Sequence, residues 1–125
     1  MKDGGQRWVL VVEDEPEQLA RCLDRLGALG YCAYGAASAE EALPLVRAVR
    51  FAAILLDDTL PGMTGPGTIG ELTRWSDVPV LLMTSHHHPD LEKDALLLGA
   101  KGYLRKPLDF ARLHQDLRRI RGHDA

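Results

Sequence analysis

Five short strand-like runs, the first, third and fourth of them strongly apolar, alternate with longer amphipathic stretches along the chain, and this alternation restricts the possible folds more than any other feature. The runs are residues 7–12, 31–36, 52–57, 78–83 and 101–104. Trp8-Val9-Leu10-Val11-Val12 and Ile54-Leu55-Leu56 contain no polar residue, as a strand covered on both faces requires. After the first run, Pro16 suits the opening turn of a helix with the apolar stripe Leu19, Cys22, Leu23 and Leu26, which Gly27 or Gly30 ends. Ser38 and Glu41 form a capping box for a second helix carried by Ala42, Leu45, Val46 and Val49. Pro44 inside it is expected to kink the helix or cost it a hydrogen bond. Residues 65–75 read as a weak helix, since Gly67 and Gly70 each cost about 1 kcal/mol and Pro66 adds to the penalty. Leu91 and Ala95 to Leu98 mark a fourth helix ended by Gly99, and Leu113, Leu117 and Ile120 line a fifth over about 109–121. Strand and helix in strict alternation, joined by right-handed crossovers, imply a doubly wound α/β fold: a five-stranded parallel sheet with helices on both faces.

At 125 residues, 46% of them hydrophobic, the chain is read as one domain over 1–125 with its core at about 7–121, and no second or effector domain fits. A net charge of -3 does not suggest direct nucleic-acid binding. The late basic residues Arg105, Lys106, Arg112, Arg118, Arg119 and Arg121 read as the solvated side of a terminal helix. Cys22 and Cys32 lie in apolar surroundings without metal-ligand spacing and are expected to be buried, reduced thiols. With no signal peptide and no apolar run long enough for a bilayer, the expected location is cytoplasmic, with no membrane partner.

The polar residues at the strand ends carry the chemistry. Glu13 and Asp14 end the first run, Asp57 the third and Thr84-Ser85 the fourth, while Lys106-Pro107 follow the fifth. In a doubly wound sheet these ends share one edge, where ligands bind. Carboxylates converging there repel one another unless a hard cation lies between them, so a magnesium-type site formed by Glu13, Asp14 and Asp57 is the first expectation. Carboxylates, a hydroxyl and an ammonium in one cleft suit phosphoryl transfer to a carboxylate.

Four segments carry a resemblance to the CheY-like receiver domain of two-component response regulators: Val11 to Pro16, Leu55 to Gly65, Pro79 to Ser85 and Gly99 to Pro107. The resemblance covers nearly the whole chain and implies a flavodoxin-like sheet of order 2-1-3-4-5. It further implies that Asp57 accepts a phosphoryl group from a phosphohistidine on a sensor histidine kinase or histidine phosphotransfer protein. Mg2+ would be held by Glu13, Asp14, Asp57 and the backbone carbonyl of Thr59. Thr84 and Lys106 would each bind a phosphoryl oxygen, and Tyr103 would be the switch aromatic that follows Thr84. Such a domain is a signalling module, not an enzyme toward other substrates: it catalyses only its own phosphorylation and dephosphorylation. Its output passes to a downstream effector domain or protein, in some members through a phosphorylation-dependent homodimer.

Departures from the family pattern are few. Ala52 or Ala53 stands where an early acidic residue is common, and Asp58 adds a charge directly after the phosphoacceptor, on the side that strand alternation turns away from Asp57. Arg112 and Asp116 reverse the charges usual in the last helix of winged-helix members, which argues against that subgroup's dimer. His86, His87 and His88 read as a solvated loop, although the resemblance implies that Thr59 and His86, two residues after Asp57 and Thr84, tune phosphate lifetime. Glu13 and Asp14 have an alternative role as the N-cap of the first helix, and capping is compatible with metal binding. A haloacid-dehalogenase-like phosphatase is disfavoured because Thr59 stands where its acid/base aspartate belongs. A receiver-like module that binds partners without phosphorylation would not need the whole constellation.

Overall fold

The computed structural model describes residues 7–123. Chain order is β1 (Trp8–Val12), α1 (Pro16–Ala28), β2 (Cys32–Ala36), α2 (Ala39–Ala48), β3 (Ala53–Asp57), β4 (Thr59–Leu60), β5 (Met63–Thr64), α3 (Gly65–Trp75), β6 (Val80–Thr84), α4 (Pro89–Leu97), β7 (Gly102–Arg105) and α5 (Phe110–His123). Five of the strands form one parallel sheet, order β2-β1-β3-β6-β7. That is the expected order 2-1-3-4-5 once β4 and β5, which pair only with each other in a small antiparallel hairpin, are left out of the count.

Period-two alternation in the strands sorts the core into two layers. Leu10, Val12, Ile54, Leu56, Val80 and Leu82 pack with α2, α3 and α4 through Ala42, Val46, Ile69, Leu72 and Ala95. Val9, Val11, Ala53, Leu55, Leu81 and Met83 pack with α1 and α5 through Cys22, Leu26, Leu113, Leu117 and Ile120. The expected stripes of the first and last helices are therefore the ones buried.

The caps follow the sequence with one correction. Ser38 Oγ accepts the N–H of Glu41 as the expected capping box requires, while Glu41 Oε1 reaches one residue further back and accepts the N–H of Ala37 rather than that of the N-cap Ser38. At α1 the N-cap is Glu15, whose Oε1 accepts the N–H groups of Glu17 and Gln18. Glu13 and Asp14 are thus released from the capping role considered for them. Gly30 and Gly99, at φ of 96° and 112°, take the left-handed conformation that closes α1 and α4. Helix α2 runs through Pro44, and α3 forms despite Gly67 and Gly70.

Of the two cysteines, Cys22 is buried under α1 while Cys32 is exposed. The expectation of burial fails for Cys32 because β2 is an edge strand with its outward face uncovered. Burial, reinforced by the Glu13 charge and opposed by Lys106, pushes the Cys22 thiol up to about 11. An alkylating reagent at pH 8 is therefore expected to modify Cys32 quickly and leave Cys22 unmodified in the folded protein. Peptide mapping after brief treatment checks this; equal labelling of both would contradict it.

Candidate functional site

The site lies at the carboxyl ends of β1, β3, β6 and β7, beside the point where the chain's strand order reverses between β1 and β3. The backbone N–H of Glu13 still bonds Ala36 O at 2.9 Å, so this residue extends the ladder and turns its side chain into the cleft. Asp57 is the last residue of β3. Both side chains are buried, each residue only 3% exposed, whereas Asp14 is open to solvent. One carboxylate oxygen from each of Glu13, Asp14 and Asp57 lies within 4.8 Å of the others, which brings together the three expected metal ligands.

Lys106 reaches from the end of β7 across β6 to this cluster. Its Nζ lies 2.7 Å from Asp57 Oδ1, 2.6 Å from Glu13 Oε1 and 2.8 Å from Gln18 Oε1, so all three ammonium protons have acceptors. Burial works to lower the Lys106 pKa, but the hydrogen bonds and charges of Asp57 and Glu13 outweigh it and hold the ammonium above its ordinary 10.5. Lys106 thus leaves the solvated basic group in which the sequence placed it; Arg105, Arg112, Arg118 and Arg119 remain exposed. Gln18 was not foreseen, and its position one turn into α1, above Glu13, was the signal available.

Thr59 borders this cluster, whereas Thr84 and Tyr103 stand on the sheet face that packs against α2, α3 and α4, with partners the sequence did not announce. Thr59 donates its hydroxyl to Asp57 Oδ2 at 3.2 Å, so both carboxylate oxygens of Asp57 are engaged. Thr84 is buried at the end of β6, but its hydroxyl donates to Asp58 Oδ2 at 3.1 Å and accepts the N–H of His86 at 2.9 Å. Tyr103 is half-buried on the edge strand β7; its hydroxyl lies 3.0 Å from His87 Nδ1, and the two rings meet edge to face at 5.5 Å between centroids. Burial raises the Tyr103 pKa, a backbone hydrogen bond from His88 opposes this, and Glu92 and Asp58 add to the rise, so the group is a neutral phenol.

The histidine triplet is therefore more than a solvated loop. His86 is exposed and donates its backbone N–H to the Thr84 hydroxyl, His87 holds Tyr103, and His88 is the N-cap of α4, its Nδ1 accepting the N–H of Asp90 at 3.1 Å.

The family model of the response regulator receiver domain matches residues 9–118. Among curated relatives, the response regulator protein FleR of Pseudomonas aeruginosa is 37% identical over 102 residues, which are 81% of this chain and 22% of that protein. A probable transcriptional regulator, ycf27, of Porphyridium aerugineum is 34% identical over 117 residues, 90% of this chain and 48% of that protein. The chain thus spans half or less of the length of these relatives. Among solved structures, the receiver domain of the sensor histidine kinase PA1611 from P. aeruginosa, with magnesium coordinated in its active-site cleft, superposes with a TM-score of 0.83 at 28% identity, covering 93% of this chain and 98% of that one. The chemotaxis protein CheY4 of Vibrio cholerae gives 0.82 at 28% identity, covering 90% and 97%. The chain belongs to the response-regulator receiver-domain family of two-component systems.

Proposed function

We propose that this chain is the phosphoacceptor of a two-component phosphorelay, taking a phosphoryl group onto Asp57 from a phosphohistidine. The observation that carries this reading is the convergence of Asp57, Glu13 and Asp14 within one buried-to-open cleft, with the Lys106 ammonium 2.7 Å from the Asp57 carboxylate. In the transfer, an Asp57 carboxylate oxygen forms a bond to phosphorus while the P–N bond of the phosphohistidine breaks, and the imidazole leaves with the electron pair and takes a proton. Lys106 provides fixed positive charge for a phosphoryl oxygen, and the Thr84 hydroxyl supplies a second donor once it turns to the site.

The donor set fits a magnesium ion: three carboxylates supply hard oxygen ligands, and the resemblance to the family adds the Thr59 carbonyl as a fourth. When bound, such an ion would neutralise phosphoryl oxygens during transfer. Gln18 and Glu13 would keep Lys106 aligned while its contact to Asp57 is exchanged for one to the phosphoryl group. The module acts on no other substrate in this reading. Its partners are a histidine kinase or phosphotransfer protein and a downstream effector, in the cytoplasm.

The reading is tested with magnesium and beryllium fluoride, which together mimic an aspartyl phosphate. The expected result is a single set of bound fluorine resonances for the wild type and none for a variant with both Glu13 and Asp14 neutralised. Absence of bound resonances in the wild type would remove the reading.

Exposed His86 follows Thr84 by two residues and donates its backbone N–H to the Thr84 hydroxyl. We expect His86→Ala to change the dephosphorylation rate of the isolated phosphoprotein, with a difference that varies between about pH 6 and 8, where an imidazole titrates. Coincident rates and pH profiles would leave His86 without a role in phosphate lifetime.

A further inference from the structure

Asp58 directly follows the proposed phosphoacceptor, and the chemistry above gives it no task. Strand alternation turns it to the opposite face from Asp57, continuing the row of Ile54 and Leu56 that packs toward α2, α3 and α4. Parallel pairing sets Asp57 opposite Met83, so Asp58 falls beside Thr84, which continues the row of Val80 and Leu82 on that same face. The backbone fixes the placement, since the N–H of Asp58 bonds Met83 O at 2.8 Å. Gly65 leaves room for the carboxylate: a Cβ there would lie 2.8 Å from Asp58 Oδ1 and 3.2 Å from Asp58 Cα.

A threonine hydroxyl has one proton to donate. In this structure Asp58 Oδ2 takes it, at 3.1 Å, across two neighbouring strand ends. The lone pairs of the same oxygen anchor the next loop through the N–H of His86 at 2.9 Å, and that loop carries His87, which holds Tyr103. The resting position of Thr84 is thus tied through a single buried oxygen to both Asp58 and the surface residue Tyr103.

Resting on the phosphoacceptor reading, we propose that Asp58 is a positioning residue that latches Thr84 in the unphosphorylated arrangement. Thr84 has to give up a charge-assisted hydrogen bond to Asp58 before it can donate to a phosphoryl oxygen. A contact made in only one of two states biases the equilibrium toward that state. Asp58 therefore weakens phosphoryl binding and keeps Tyr103 in its resting place, and the coupling is reciprocal: occupancy of the phosphoryl site releases Asp58.

Two effects of Asp58 need separating, because its negative charge also repels a phosphoryl group through space. Repulsion acts whether or not Thr84 is present, whereas the latch needs the hydroxyl. A double-mutant cycle distinguishes them. The affinity for beryllium fluoride at saturating magnesium is measured for the wild type, Asp58→Ala, Thr84→Ala and the double variant. Asp58→Asn, which keeps the side-chain shape, is a second probe should the alanine variant fold poorly. Loss of one charge-assisted hydrogen bond from the resting state is expected to tighten binding by about tenfold in Asp58→Ala and by less in Asp58→Asn. In the Thr84→Ala background the latch's share of the tightening is expected to vanish, leaving only the smaller share due to through-space repulsion. Without ligand, the His86 amide and Thr84 methyl resonances of Asp58→Ala are expected to move toward their positions in the beryllium-fluoride-bound wild type. Wild-type binding that is unchanged by Asp58→Ala and Asp58→Asn, or tightened equally with and without Thr84, would overturn the latch and leave the phosphoacceptor reading standing. A wild type that binds no beryllium fluoride would overturn both.

Discussion

Asp57→Asn is expected to abolish phosphorylation by small donors such as acetyl phosphate in the presence of magnesium, while the fold is retained. The amide keeps the shape of the side chain but lacks the anionic oxygen that attacks phosphorus, so the loss is complete rather than partial. Its surroundings tolerate the change: the amide oxygen can take the place of Oδ1 and keep the Lys106 contact, while the Thr59 hydroxyl, now facing the amide nitrogen in place of Oδ2, turns to accept its N–H. Gel separation of the phosphoprotein, with circular dichroism as the folding control, checks both parts. Acid-labile phosphate on the variant at the wild-type level would place the acceptor elsewhere.

Lys106→Met is expected to destabilise the magnesium-free protein by about 2 kcal/mol and to make the variant gain more stability from magnesium than the wild type does. Lys106 is the cation that Glu13 and Asp57 share, at 2.6 and 2.7 Å, and its removal leaves two buried carboxylates facing each other without a counter-charge. Breaking a fully buried pair costs roughly 3–5 kcal/mol, and the smaller figure reflects a cleft open to solvent on the side of exposed Asp14. A divalent cation restores the missing charge and stabilises the folded state by mass action. Chemical denaturation with and without magnesium measures the difference; an identical magnesium response in both proteins would contradict it. The pH dependence has a defined sign. The folded-state pKa of Lys106 is raised above 10.5, so its stabilisation is fully present below that value and is lost only as pH rises through the folded pKa. Between pH 7 and 9 the wild-type stability is expected to show no slope from this group.

The elements with a strong period were legible in the sequence. Alternating apolar strands, the Ser38–Glu41 capping box and Gly99 all act through near neighbours, and each forms where expected to within a residue or two. The β4–β5 hairpin escaped because two-residue strands have no period to read; Pro61-Gly62, with Gly62 at φ 83°, was the local signal of its turn. The sequence offered Glu13 and Asp14 as caps of α1 and passed over Glu15, which does the capping, because the choice depends on the angle at which the chain enters the helix.

The site shows the same division. Asp57, Glu13, Asp14, Thr84 and Lys106 were legible because parallel strands all deliver their carboxyl ends to one edge. Their hydrogen-bond partners were not. Alternation already turned Asp58 away from Asp57, but its meeting with Thr84 depends on the register between β3 and β6, which no local pattern encodes. The contact of His87 with Tyr103 depends likewise on the path of a loop between β6 and α4.

The central claim, that Asp57 is the phosphoryl acceptor, is tested most directly by mapping the modified residue. The protein is phosphorylated with acetyl phosphate and magnesium and treated with borohydride, which reduces an aspartyl phosphate to homoserine, and the peptide spanning β3 is then sequenced by mass spectrometry. Homoserine at position 57, with Asp58 and Asp14 unchanged, is the expected result; conversion at Asp58 or Asp14, or no conversion in a protein that has taken up phosphate, would contradict it.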